Sequence, residues 1–199
     1  MICGILLAGG EGRRFGGDKL AARLDDDRSV LAAAAAAIAG AVDCRILVTR
    51  PGRDTLTAPL AAAGWRVIAT EHARRGMGAS LAAGVRACPD ADGYLIALGD
   101  MPALRPATAA AVVDALRAGA WIAAPVVDGR RGHPVGFRGD FAAELMSLDG
   151  DEGARSIVKR ANDHIIVVEV NDHGALLDVD RPSDLEALTR VQVGSGGDG

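Results

Sequence analysis

Residues 2–20, ICGILLAGGEGRRFGGDKL, decide how this chain is read. Ile2–Leu7 is a near-continuous apolar run, the pattern of a strand covered on both faces of a parallel sheet. The chain then changes character abruptly. Gly9, Gly10, Gly12, Gly16 and Gly17 crowd one loop with Arg13, Arg14 and Lys19 among them. Without Cβ atoms in the way, successive backbone N–H groups can converge on an anion. A glycine-rich, cationic turn directly after the first strand therefore predicts phosphate binding. Two common phosphate loops do not fit. GxxxxGK[ST] fails because Lys19 follows Asp18 and precedes Leu20. GxGxxG begins well at Gly10 and Gly12 but meets Phe15 where its third glycine belongs, and no acidic residue ends a second strand in the expected way.

Working outward, short apolar runs at Arg45–Val48, Trp65–Ala69, Tyr94–Leu98 and Trp121–Pro125 read as further buried strands. Helix-like segments lie between them: Val30–Ala39 and Leu56–Ala63, each stopped by a glycine, then Ala79–Ala87 and Ala107–Ala118, the last opened by Pro106 and closed by Gly119. Such alternation predicts βαβ units. The fold class is α/β, a three-layer α/β/α sandwich around a mostly parallel, Rossmann-like sheet. After Pro125 the pattern changes. VVDGRRGHPVGF (126–137) reads as a hairpin, Phe141–Leu148 and Ala154–Arg160 as short helices, Ile165–Val170 as an outer strand, and a last helix opens near Pro182. Residues 1–192 are expected to form one domain, with 193–199 a disordered tail. Ligands of open α/β sheets sit beyond the C-terminal strand ends. That gathers the opening loop, the residues after Leu98 and the loop around Asp178 and Asp180.

Composition narrows the partners. The 199 residues are 49% apolar but only 3% aromatic, so Ala, Leu, Val and Ile must build the core. A net charge of −4 argues against nucleic acid, and paired arginines in an acidic chain suit small anions instead. Cys3, Cys44 and Cys88 are far apart in sequence and lack CxxC spacing. They read as buried small hydrophobes of a reducing compartment rather than as disulfides or zinc ligands. The first apolar run has no basic leader and is too short to span a membrane, so the expectation is a cytoplasmic protein with no membrane partner.

The remaining pattern, L-A-G-G-x-x-x-R-x-G-x-D-K from Leu7 to Lys19, resembles the signature loop of nucleotidyltransferases that activate phosphorylated compounds. The chain most resembles the molybdenum-cofactor members, the molybdopterin guanylyl- and cytidylyltransferases. GMGASLAAGV (76–85), LGDMPAL (98–104), GRRGHPVGF (129–137), GDEGAR (150–155) and LDVDRPSDL (177–185) come in family order. The resemblance implies a nucleotide-diphospho-sugar transferase type of fold. It also implies transfer of a nucleoside monophosphate from CTP or GTP to the phosphate of a molybdopterin-type substrate, with a molybdoenzyme or its chaperone as a possible recipient.

Within that resemblance the residue chemistry is intelligible. Two anionic reactants must be brought together, so catalysis is positioning and charge neutralisation. Leu7, Ala8, Gly9, Gly10 and Gly12 would present the nucleotide-binding main chain. Arg14 would grip the outer phosphates with its planar fork, and Lys19 would neutralise the α-phosphate. Asp100 comes directly after an apolar strand and offers a hard oxygen for Mg²⁺, with Asp180 as second ligand; the three candidate catalytic residues are Lys19, Arg14 and Asp100. Gly78 and Ser80 would lie near the nucleobase, and Arg130, Arg131 and His133 near the second substrate. Asp180 could instead cap the helix at Pro182. The Ala8-Gly9-Gly10 loop has the guanylyl form, whereas later segments resemble the cytidylyl branch, and whole-chain similarity favours CTP. Two alternatives stand beside this: a nucleotidyltransferase for another phosphorylated metabolite, and a non-catalytic nucleotide-binding accessory protein for molybdoenzyme maturation.

Overall fold

In the computed structural model, residues 1–10, 12, 14–161, 164–186 and 188 are described. The expected tail at 193–199 and Arg13 of the opening loop lie outside them. β1 (Ile2–Ala8) runs parallel between β2 (Cys44–Thr49) and β4 (Gly93–Leu98), and β3 (Arg66–Ala69) flanks β2. Every residue of β1 is buried, which explains why its sequence shows no polar alternation.

Alternate β1 side chains feed two cores. Ile2, Leu6 and Ala8 face α1 (Val30–Ala39), α2 (Asp54–Ala62) and α4 (Pro106–Arg117). Cys3, Ile5 and Leu7 face α3 (Met77–Arg86), α5 (Ala142–Met146) and α6 (Arg155–Arg160). The three-layer sandwich expected from the sequence is what forms. Ser29 caps α1 by accepting from the Ala32 N–H, and Pro106 opens α4 where its missing donor costs nothing.

The second half departs from a simple hairpin. β5 (Ile122–Val127) turns at Asp128 and Gly129, both with positive φ, the conformation a two-residue hairpin favours. The return strand is split into β6 (Arg130–Arg131) and β7 (Val135–Arg138). β6 pairs with the end of β5. β7 continues between β5 and β4, antiparallel to both, so it joins the main sheet rather than standing apart. The register slips between the two segments: Val126 faces Arg131, yet Ala123 faces Gly136. The slip falls at Pro125, whose carbonyl accepts from the Gly132 N–H but which has no proton to return. His133 therefore bulges from the ladder at the sheet's C-terminal edge. β8 (Ile165–Glu169) pairs parallel with the other side of β5, as the expected outer strand.

Candidate active site

β1 and β4 end side by side, and both connections leave from that edge. The β1 exit is fixed by a residue that no sequence motif marks. Arg53, at the start of α2, is buried; its guanidinium donates to the carbonyls of Ala8 (2.7 Å) and Gly10 (3.1 Å) and to Asp18 Oδ1 (3.1 Å). Burial lowers its basicity, which the Asp18 charge partly offsets. One fork thus ties together the beginning and end of the glycine loop. Gly9 is packed rather than merely flexible: a Cβ there would stand 3.0 Å from both Ala73 Cβ and Ser80 Oγ. Ser80 is buried in the first turn of α3 and its hydroxyl donates to the Gly76 carbonyl (3.0 Å), while the Gly78 N–H donates to Gly150 (2.7 Å). At Gly10 nothing lies within 4 Å of the same atom, so that position opens into free space.

Lys19 closes the loop, and its side chain is almost wholly buried. Its ammonium donates to Asp100 Oδ2 (2.7 Å) and to Asp180 Oδ1 (2.9 Å). Arg14 reaches the other oxygen of Asp180 at 3.1 Å from the exposed side. Burial alone would lower the Lys19 pKa, but the hydrogen bonds and charges of Asp100 and Asp180 outweigh it and hold the ammonium above its ordinary value. Reciprocally, the Lys19 hydrogen bond, with Arg14 adding to it, holds the Asp180 carboxyl below the usual carboxylate range.

Asp178 and Asp180 flank Val179, which is fully buried and whose N–H donates to the Asp100 carbonyl at 2.8 Å. With Val179 turned inward, the two aspartates turn outward. One oxygen from each of Asp100, Asp178 and Asp180 lies within 4.8 Å of the others. Asp184 lies in the first turn of the last described helix and reaches back to the residues before it. Its Oδ2 accepts from the Asp180 and Arg181 N–H groups at 2.8 and 2.7 Å and leaves the Asp180 side chain for the site.

The segment carrying these acids is braced from below. Asp172 is buried and accepts from the Arg105 N–H (2.9 Å), Thr108 Oγ1 (2.6 Å) and the Gly174 N–H (3.0 Å). Two glycines then allow backbone to lie on backbone: a Cβ on Gly174 would be 2.0 Å from the Ala103 carbonyl oxygen, and one on Gly132 would be 2.3 Å from that of Ala175. His133 completes the cluster. Its N–H donates to Ala175 (2.9 Å), its peptide bond to Pro134 is cis, and its Nδ1 is buried without a hydrogen-bond partner among the described residues. Burial lowers the imidazole pKa, and the charges of Asp100 and Asp178 only partly restore it.

Of the residues singled out in sequence, Lys19, Arg14, Asp100, Asp180 and His133 meet at one place. Leu7 and Ala8 end β1 there, with Gly9, Gly10 and Gly12 leaving it. Gly78 and Ser80 border it across Gly9. Arg130 and Arg131 are exposed on β6, in the same strand connection as His133. Sequence reasoning misses Arg53 and Asp172. The turn-forming Asn171-Asp172-His173-Gly174 is a signal that could have raised Asp172, whereas nothing in Arg50-Pro51-Gly52-Arg53 marks one arginine as buried.

A cationic main-chain loop facing a cluster of carboxylates at the C-terminal edge of a mostly parallel sheet defines a phosphate-handling α/β enzyme of the nucleotidyltransferase class. The chain belongs to the MobA-like NTP transferase domain family, whose model matches residues 4–165. It is 29% identical over 200 residues to the purine catabolism protein PucB of Bacillus subtilis (strain 168), across 96% of this chain and 97% of that one. Rv0371c of Mycobacterium tuberculosis H37Rv superposes with a TM-score of 0.79 at 31% identity, over 95% of this chain and 97% of that one. A second structure of Rv0371c is a complex with manganese; it superposes with a TM-score of 0.74 at 28% identity, over 95% of this chain and 98% of that one. A nucleotidyl transferase of Methanothermobacter (Mth528) also gives 0.79, at 25% identity over 96% and 99% of the two chains. Among the described residues no helix is long and apolar enough to cross a membrane.

Proposed function

We propose that this nucleotidyltransferase moves a nucleoside monophosphate from CTP to the phosphate of a molybdenum-bearing molybdopterin, releasing pyrophosphate. The observation that carries the reading is the bonding of Lys19 to both Asp100 and Asp180 beneath the glycine loop. In the reaction an acceptor phosphate oxygen bonds to the α-phosphorus, the bond from that phosphorus to the bridging oxygen breaks, and pyrophosphate leaves with the electron pair. The loop N–H groups orient the triphosphate, Arg14 binds its outer charge from the solvent side, and Lys19 lowers the repulsion between the two anions.

The carboxylate trio suits a hard divalent cation such as Mg²⁺, and the Lys19 ammonium already stands among two of its members as a positive charge. Bound by Asp100 with Asp178 and Asp180, such an ion would neutralise phosphate oxygens. Burial holds the His133 imidazole below its ordinary pKa beside the acids. The exposed Arg130 and Arg131, with His133 buried beside them in the same strand connection, are our candidates for the acceptor side of the site.

The Ala8-Gly9-Gly10 loop keeps its guanylyl form, and the open space at Gly10 leaves the choice of base to the test below. A Cβ at Gly9 would stand 3.0 Å from Ala73 Cβ and Ser80 Oγ, so local packing as well as the base bears on that position. The test is pyrophosphate release with CTP and GTP in parallel, using molybdenum-loaded pterin and Mg²⁺. Faster release with CTP is expected. Faster release with GTP would move the chain to the guanylyl branch, and release only with a different phosphorylated acceptor would replace the substrate.

A further inference from the structure

All three cysteines of the chain meet at one point, far from the site above. Cys3 is in β1, Cys44 opens β2 directly opposite it in register, and Cys88 lies just after α3; their sulfurs lie within 4.8 Å of one another. None is in a disulfide. We propose that Cys3, Cys44 and Cys88 form a three-sulfur site for one soft divalent ion of the zinc type.

Geometry supports this first. Three sulfurs each about 2.3 Å from a shared ion stand roughly 3.8–4.0 Å apart, so the observed cluster needs only a small contraction. Access comes next. Cys3 is fully buried, whereas Cys44 and Cys88 are partly exposed, so an ion enters from the surface and keeps an open fourth position there. The loop carrying Cys88 is held in place by Tyr94, which is buried and whose hydroxyl donates to the carbonyls of Cys88 and Pro89, both at 3.0 Å.

Charge selects the ion. Three thiolates carry three negative charges, and Arg66 supplies one positive charge beside them. Its guanidinium donates to the Ala87 carbonyl at 2.7 Å, and its field favours the Cys88 thiolate. A divalent ion then leaves the group neutral, and a soft one is preferred by sulfur. Binding is M²⁺ plus three thiols giving the tris-thiolate and three protons released to water, with no change of oxidation state. Burial raises the Cys3 and Cys88 thiols above their ordinary pKa range. The site lies at the N-terminal edge of the sheet. Five residues of extended strand, about 16 Å, separate Cys3 from Ala8 at the nucleotide end.

The experiment titrates the reduced, chelator-treated full chain with Cd²⁺ and then Zn²⁺, with excess Mg²⁺ present throughout to occupy the hard carboxylate cluster. One equivalent of Cd²⁺ with sulfur-to-metal absorption is expected, displaced by or competing with Zn²⁺. Cys44→Ser and Cys88→Ser should each weaken binding on the order of a hundredfold while keeping the wild-type circular dichroism. Those two are chosen because the fully buried Cys3 is the position where a variant could fail to fold. Absence of the absorption band, or equal affinity in both variants and wild type, overturns the proposal. So does a reduced protein that takes up no ion but loses a hydrogen pair in air as two of the thiols join.

Discussion

Lys19 is at once an internal tie and our candidate for charge neutralisation in the reaction. Buried cations are rare unless paired, and this one is held by two carboxylates on separate segments. Lys19→Ala is predicted to lower turnover by about 10²–10³-fold while changing nucleotide affinity less, because its charge matters most as the reacting phosphates approach. Pyrophosphate release and calorimetric nucleotide binding separate the two effects, and unchanged turnover would remove Lys19 from its role. Asp100→Asn should shift the divalent-metal titration of activity to higher concentration; an unaltered titration would reassign the metal position. Arg53→Met removes a buried fork from two carbonyls and one carboxylate, with an expected loss of about 2–3 kcal/mol in denaturant unfolding and weaker nucleotide binding. Of these residues Lys19 and Asp100 were legible in sequence, since each sits in a spaced pattern after a strand. Arg53 was not, because its significance comes from carbonyls more than forty residues away in the chain.

At the scale of elements, the site depends on three connections held in contact by missing side chains. The 172–180 segment lies on Ala103 through Gly174, and Gly132 lies on Ala175. Gly174→Ala would push a methyl group into a main-chain carbonyl at 2.0 Å, so the backbone must move. A loss of about 1–3 kcal/mol in stability is expected, together with weakened divalent-metal binding as Asp178 and Asp180 shift away from Asp100. Chemical denaturation and a metal titration of the same variant check both, and a normal metal affinity would show that the segment does not position the acids. The expected hairpin shows the same dependence on neighbours. Its turn was readable from Asp128-Gly129, but the place of β7 between β4 and β5 was not, since an antiparallel strand inserted in a parallel sheet carries the same apolar pattern as its neighbours.

For the whole molecule, the Lys19–Asp180 contact ties the first loop to the last described segment. Its pH behaviour is set by both partners. The Asp180 carboxyl is lowered from 3.8, so its contribution is present above that pH and is lost as pH falls through the lowered value. The Lys19 ammonium is raised from 10.5, so its contribution is present below that pH and is lost as pH rises through the raised value. The difference in unfolding free energy between wild type and Lys19→Met should therefore be flat from about pH 5 to pH 9 and change only beyond each end. With the Asp180 side chain 42% exposed, added salt should also shrink it. A slope centred near neutral pH would mean that another group, such as His133, governs the cluster.

Local patterns were enough to establish the α/β alternation and the strand that opens it, and to single out its first loop as the candidate phosphate site. These rest on periodicity, glycine chemistry and charge within about twenty residues of chain. Tertiary structure alone decided the rest: which arginine is buried, that the Asp180 side chain turns to Lys19 and Arg14, where β7 inserts, and that three scattered cysteines share one point. Each of those depends on contacts between residues distant in sequence or on how a segment is packed, and such contacts leave no periodic trace in the residues that make them.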